Sequence, residues 1–358
     1  MPGKGERRLR IGVLGCGQIA QAAHFESCRK ARNADLYAIC DRAPDLLARM
    51  AAVHQPAAAY GDYDAMLADP LVDAVIVAIA DQFHVDAAIA ALRAGKPVLV
   101  EKPMAVSVEE AERLAAAVAE TGLPVQVGTM KRYDPGIAFA RQFIREEMGE
   151  IVAMEAWYCD SSRRYAMTDA TQPLIETSAY ALRPAGDPKA DLRRYYLLGH
   201  GSHLVDMAIF LCGEIGAVRA RQRHAAETWT WFIETEFVSG AIGHLNLTIP
   251  AKMDWHEGFT VYGEHGSAAA TIFNPWYFKG AEVECFSERD GQFRRPLGAD
   301  AHFYRRQVEG FADTVLDGAP MTGASAVDGL AVTRALAAIS RSVESGGWVL
   351  PADVTGAI

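Results

Sequence analysis

The chain has 358 residues, half of them hydrophobic and 22% charged, with a formal net charge of −10. That length exceeds a typical single domain and suits two, and the composition is that of an ordinary globular protein. The acidic balance excludes nucleic acid as an expected partner, because phosphate binding needs clustered positive charge, and the arginine pairs here are scattered. No run approaches the roughly 18 apolar residues that a bilayer span requires. The polar, basic residues 1–10 precede only a short, glycine-interrupted apolar segment, so no signal peptide is expected and a cytoplasmic location is. Cys16, Cys28, Cys40, Cys159, Cys212 and Cys285 form no CxxC pair and no metal-ligand spacing, which fits reduced thiols and predicts no metal.

Residues 9–14 read as a short buried strand running into Gly15-Cys16-Gly17-Gln18-Ile19-Ala20, a GxGxxA loop followed by a helical stretch. Between strand and helix the motif has a mechanism. Gly15 makes the tight turn, Gly17 lets the backbone approach a pyrophosphate, and Ala20 permits close helix–strand packing. Gln18 and Ile19 open the helix whose free N–H groups hold the phosphates.

A second strand, 35–40, ends on Asp41. A carboxylate there accepts hydrogen bonds from ribose hydroxyls and repels a 2′-phosphate, so NAD is expected ahead of NADP. Arg42 pulls the other way, since an arginine binds such a phosphate or stacks on adenine. Asp41 has a second reading, as a helix N-cap before Pro44.

The alternation continues with a helix over 63–68, a buried strand over 73–79 and a helix over 84–94 closed by Gly95. Residues 97–100 form the next strand and deliver Glu101-Lys102-Pro103. Ser107 and Glu110 form a capping box for a helix that Gly122 ends before Pro124, and 125–128 is one more strand. Strands alternating with crossover helices predict a parallel, doubly wound sheet, with ligand groups at the strands' C-terminal ends. Lys102 is then a lysine presented at the sheet rim; the alternative is a solvated strand end.

The second half changes character. Residues 217–224, 230–237, 242–248 and 259–262 are β-rich, with a turn at Ser239-Gly240. Helices are expected over 301–316 and 326–344, the latter opened by Ser325 with Asp328 and stopped by Gly346-Gly347. Residues 158–198 form a polar insertion containing Tyr158, Asp160, Arg163, Arg164, Tyr165, Tyr180, Arg183, Arg194, Tyr195 and Tyr196.

These segments resemble the Gfo/Idh/MocA oxidoreductase family of inositol, glucose and other sugar dehydrogenases. The resemblance is carried by the GxGxxA loop and by residues 77–84 leading to Ala94-Gly95-Lys96-Pro97. It extends through Glu101-Lys102-Pro103 and Gly128-Thr129-Met130-Lys131-Arg132-Tyr133-Asp134-Pro135 to Gly201-Ser202-His203-Leu204-Val205-Asp206. It implies an NAD-binding Rossmann domain over 1–130 and a substrate-binding and oligomerisation α/β domain over 131–358, built on a large, mostly antiparallel open sheet. That sheet would form a homodimer or homotetramer. Beyond Gly15, Gly17, Gln18, Ile19, Asp41 and Arg42, the family places Ala80, Gln82, His84, Glu101, Lys102 and Met130 at the cofactor.

The implied reaction is NAD-dependent oxidation of a ring hydroxyl of a sugar, inositol or glycoside, with Lys102 and His203 catalytic. A lysine with an ordinary pKa of about 10.4 is the wrong protonation state for a base. Burial and the positive nicotinamide ring both lower that value. His203, expected at the start of a helix over 202–211, would share the substrate hydroxyl, with Asp206 one turn further on; a purely structural His–Asp pair is the other reading. Substrate contacts are expected from Lys102, Arg132, Tyr158, Arg163, His200 and His203.

One departure stands out. Family dehydrogenases carry Asp four residues before this histidine, and here that position is Gly199, followed by His200. His200 substitutes for it, or the substrate is oriented differently. Two other functions follow from the resemblance: a glycoside hydrolase or lyase that uses NAD for transient oxidation and elimination, or a non-enzymatic dinucleotide-binding sensor.

Overall fold

The computed structural model describes residues 7–163, 172–182, 188–298 and 301–358. Arg164, Tyr165 and Arg183, named above as polar candidates, lie outside the described residues. The chain folds as two units. The first runs to Met130 and takes in Gln172–Ala190 and Tyr304–Leu330; the second comprises Lys131–Thr171, Asp191–Phe303 and Ala331–Ile358.

In the first unit, strands β1 (Leu9–Leu14), β2 (Ala34–Cys40), β3 (Ala58–Tyr60), β4 (Ala74–Val77), β5 (Val98–Val100) and β6 (Val125–Val127) are parallel neighbours. The second unit holds β7 (Ile151–Ser161), β8 (Ile215–Ala225), β9 (Thr228–Phe237), β10 (Ile242–Ala251), β11 (His256–Gly263), β12 (Gly266–Ile272), β13 (Glu282–Ser287) and β14 (Gln292–Arg294). The last strand, β15 (Ala324–Ser325), returns to the first sheet and pairs antiparallel with β6.

The first sheet has the order β15-β6-β5-β4-β1-β2-β3. The order of winding reverses between β1 and β4, the switch point where doubly wound sheets bind ligands. Both faces are covered, so the central strands read as continuous apolar runs: all four residues of β4 are buried. One core layer gathers Val77, Val100 and Leu114 and the other Ile11, Ile39 and Phe25. The helix Phe303–Asp317 belongs here because Val308, Phe311 and Ala312 complete that second layer. Residues 172–182 of the polar stretch also sit on this unit. Glu176 and Gln21 exchange backbone and side-chain hydrogen bonds of 2.9 Å each, and Ser178 donates to Asp45.

Local chemistry sets the helix ends. Gly122 closes Val108–Thr121 in the left-handed region at φ 68°. Ser107 accepts from the Glu110 N–H, but Glu110 reaches back to the Val106 N–H, one residue earlier than a capping box requires. Ser325 and Asp328 do form the reciprocal pair.

The second sheet, β14-β13-β12-β11-β7-β10-β9-β8, is antiparallel except for β10 beside β7. β7 lies near its middle and runs through the start of the expected polar insertion. Met154, Ala156, Tyr158 and Asp160 alternate onto its buried face, while Glu155 between them is exposed. The helix expected to begin at Ser202 begins earlier. Asp191 caps Leu192–Tyr196, a π-helical turn follows over Leu197–Gly201, and Ser202–Cys212 completes a continuous run ended by Gly213. His203 therefore sits inside a helix, directly after a wide turn of the kind found often at functional sites.

Candidate functional site

At the C-terminal end of β1, Gly15 holds φ 97°, and a Cβ there would lie 2.5 Å from the Ala78 carbonyl. Only glycine satisfies both demands. Gly17 is the opposite case: a Cβ built on it meets nothing within 4 Å. The helical turn Ala20–His24 begins just beyond, with Ile19 as N-cap and no side chain capping it. Gln18 is exposed and Ile19 half-buried. Open space over Gly17 beside an uncapped helix start fits a dinucleotide's phosphates.

Asp41 grips this loop. Its carboxylate accepts from the Cys16 N–H and from the Ala43 N–H, both at 2.8 Å. The N-cap of Pro44–His54 is Ala43, so Asp41 ties strand, loop and helix together rather than capping the helix. Arg42 is exposed. Burial, then the charge of Asp41, push the thiol of Cys16 in the same loop far above the ordinary range.

β5 delivers Glu101 and Lys102. Glu101 is buried; its Oε1 lies 2.8 Å from His24 Nε2, and its Oε2 accepts from the Lys102 N–H at 3.1 Å. A Cβ on Gly128 would come within 3.0 Å of this carboxyl group, so the next strand leaves room for it. Burial would raise the Glu101 pKa, but the hydrogen bond and charge of His24, then the charge of Lys102, reverse this and hold it below the ordinary range. Lys102 is half-buried, and its peptide bond to Pro103 is cis. His24, fully buried with the Tyr304 ring edge-on to it, is a residue that motif reading misses. It lies four positions beyond Ala20, where helical spacing past the glycine loop points to it.

Other assigned cofactor residues are placed unequally. Ala80 and Gln82 are half-buried after β4, and Met130 is buried. His84 is held by the loops around it. Both its ring nitrogens face backbone carbonyls, Nδ1 that of Pro103 at 2.8 Å and Nε2 that of Ile79 at 3.0 Å. It buttresses the loops that follow β4 and β5.

The second unit assembles its own polar cluster. Tyr158 is buried and lies parallel to His203, with 5.9 Å between ring centroids and 3° between planes. Its hydroxyl is 3.4 Å from His200 Nδ1, and Asp160 Oδ2 is 3.6 Å from the same nitrogen. Lys131 places its ammonium 4.4 Å from the Tyr158 ring centroid and pairs with buried Glu257, which also accepts from the Trp255 indole. Burial lowers the Lys131 pKa and raises that of Glu257, the usual effect on a desolvated pair. Tyr158 is therefore engaged by protein partners.

Arg132 is likewise engaged within the protein. It is buried and donates from Nε and Nη2 to Asp206, its shortest bond 2.7 Å, with its guanidinium over Phe210. Arg163 is exposed just past β7. A Cβ on Gly199 meets nothing within 4 Å. Among the described residues, no three His, Cys, Asp or Glu are grouped as metal ligands, and no helix is long and apolar enough to cross a membrane.

A glycine loop at the switch point of a parallel sheet, with a carboxylate at the end of the second strand, defines a dinucleotide-binding protein. Residues 9–129 match the family described as an oxidoreductase family with an NAD-binding Rossmann fold, and residues 137–269 match the GFO/IDH/MocA C-terminal domain. The chain belongs to the Gfo/Idh/MocA oxidoreductase family, and its cofactor is NAD.

Among its relatives, inositol 2-dehydrogenase 2 of Saccharopolyspora erythraea is 30% identical over 351 residues, 94% of each chain. An oxidoreductase domain protein from Kribbella flavida has a TM-score of 0.80 at 25% identity, covering 96% of this chain and 99% of that one. Levoglucosan dehydrogenase, solved with NADH, has a TM-score of 0.78 at 21% identity over 96% and 99% of the two chains, and shows the shared fold.

Proposed function

We propose that the protein is a dehydrogenase that oxidises a CH–OH group, a ring hydroxyl of an inositol, sugar or glycoside. The observation that carries this reading is the Glu101–Lys102 pair at the end of β5, with the carboxylate locked by His24. The similarity to an inositol 2-dehydrogenase over nearly the whole chain supports the substrate class.

Bound NAD supplies the hydride acceptor. Gly15, Gly17 and the helix start after Ile19 seat its phosphates, and Asp41 selects the unphosphorylated ribose. Lys102 Nζ takes the hydroxyl proton as the carbon is oxidised, and Glu101 orients the nicotinamide side of the site. His203, held parallel to Tyr158, is the second proton-handling group. A cytoplasmic location belongs to the same proposal. So does a homodimer or homotetramer formed through the open face of the second sheet, where Phe232 and Ile242 are exposed.

The test is a spectrophotometric screen of polyols, free sugars and glycosides with NAD and NADP. Stoichiometric NADH accumulation is the expected result. Glycoside cleavage without it would favour the hydrolase reading.

A further inference from the structure

The carboxylate missing at Gly199 leaves a gap in the helix, and the structure shows another carboxylate close by. Asp160 stands on the buried face of β7, two residues beyond Tyr158, so both side chains point the same way. The helical run opposite carries His200 and His203, three residues apart across the end of the π-helical turn. The strand and helix meet as two matched pairs: Tyr158 lies parallel to His203, and Asp160 lies 3.6 Å from His200. Asp160 is only 4% exposed, and a carboxylate that deep persists as an anion only with a partner.

We infer that Asp160, acting through His200, supplies the acidic function that the helix lacks at Gly199. Asp160 is a positioning residue here: it fixes the His200 ring and favours its protonated form. The ionisable group beside His203 thus becomes an Asp–His pair instead of a lone carboxylate. Its proton moves between His200 and the substrate-side groups, with no bond to carbon made or broken. Among the described residues, the groups around the pair include the Tyr158 hydroxyl, the rings of Tyr195 and Tyr196, and the buried Lys131–Glu257 pair, whose ionisation feels the Asp160 charge. The inference rests on the dehydrogenase reading for its catalytic half only.

Two readouts on the full-length protein test it. The first is the histidine NMR titration of wild type and Asp160→Asn, with the His200 signal assigned through His200→Gln. Loss of the carboxylate should lower the His200 midpoint by about one pH unit; an unchanged midpoint overturns the pair. The second is the pH profile of kcat/KM with myo-inositol, or with whichever polyol in the screen reduces NAD fastest. Asp160→Asn should lower kcat/KM about tenfold or more at neutral pH and move the profile's acidic limb, leaving KM for NAD unchanged. Asp160→Glu should restore the limb, and Gly199→Asp in the Asp160→Asn background should recover turnover. A uniform loss without movement of the limb overturns the catalytic half, and failure of Gly199→Asp to recover turnover overturns the equivalence of the two carboxylates. If no polyol reduces NAD, the dehydrogenase reading fails, and the NMR titration still decides the pair.

Discussion

His24 and Glu101 are joined by a 2.8 Å hydrogen bond in the interior of the NAD-binding unit, and the same carboxylate accepts from the Lys102 N–H. The lysine at the rim of the sheet is thus anchored through its neighbour to the helical turn after the glycine loop. Because His24 and its partners hold the folded-state pKa of Glu101 below its ordinary value, this carboxylate stabilises the fold above its unfolded pKa. That contribution is lost as pH falls through the folded value.

His24→Leu should reverse that dependence. Without its partner, burial dominates at Glu101, its pKa rises, and stability should decline as pH rises through the ordinary carboxylate range. The expected cost near neutral pH is about 3 kcal/mol, as for breaking a buried pair. Urea unfolding from about pH 4, near the ordinary carboxylate pKa, up to about pH 8 measures both. A midpoint equal to wild type would show that the bond contributes nothing.

The two loop glycines should fail differently. Gly15→Ala forces a side chain into the Ala78 carbonyl at a positive φ, and should cost about 1–3 kcal/mol in thermal unfolding. Gly17→Ala has room in the protein itself, so its melting should match wild type while NAD affinity falls about tenfold or more. Cofactor titration by fluorescence separates the two.

Asp41→Ala should weaken NAD and narrow the preference against NADP. It also frees the Cys16 and Ala43 N–H groups, so the glycine loop loses its tie to β2. A rise in KM for NAD of about tenfold (roughly 1.4 kcal/mol), with little change for NADP, is expected from steady-state kinetics.

Lys131 and Glu257 should behave as a unit. Lys131→Met alone leaves a buried carboxylate and should destabilise by about 3 kcal/mol. Adding Glu257→Gln removes that charge while keeping an acceptor for the Trp255 indole. The double variant should therefore recover most of the loss, which denaturant unfolding would show. Additive losses would mean that the pair is not coupled.

The framework of the first unit is legible in the sequence because its determinants are local. Gly15 and Gly17, the apolar run of β4, the Gly122 stop and the Ser325–Asp328 cap each act within a few residues. What escapes depends on distant chain. β7 is hidden because Tyr158 and Asp160 look like surface residues until the helix carrying His200 and His203 covers them. His24 gains its role from Glu101, 77 positions away, and Arg132 is bonded to Asp206, 74 positions away. The partners of His84 are hidden too, since they are two backbone carbonyls that no side-chain pattern reveals. The start of the long helix at Leu192 is obscured by Gly199 and Gly201, which read as breakers but sit inside a π-helical turn.

The central claim is that Lys102 handles the proton of an NAD-dependent alcohol oxidation, and single-turnover NADH formation by Lys102→Ala tests it most directly. With the cofactor bound as in wild type and the fold intact by circular dichroism, the variant should form NADH at least about a hundredfold more slowly, the size expected for loss of a general base. NADH formation at the wild-type rate would contradict the account.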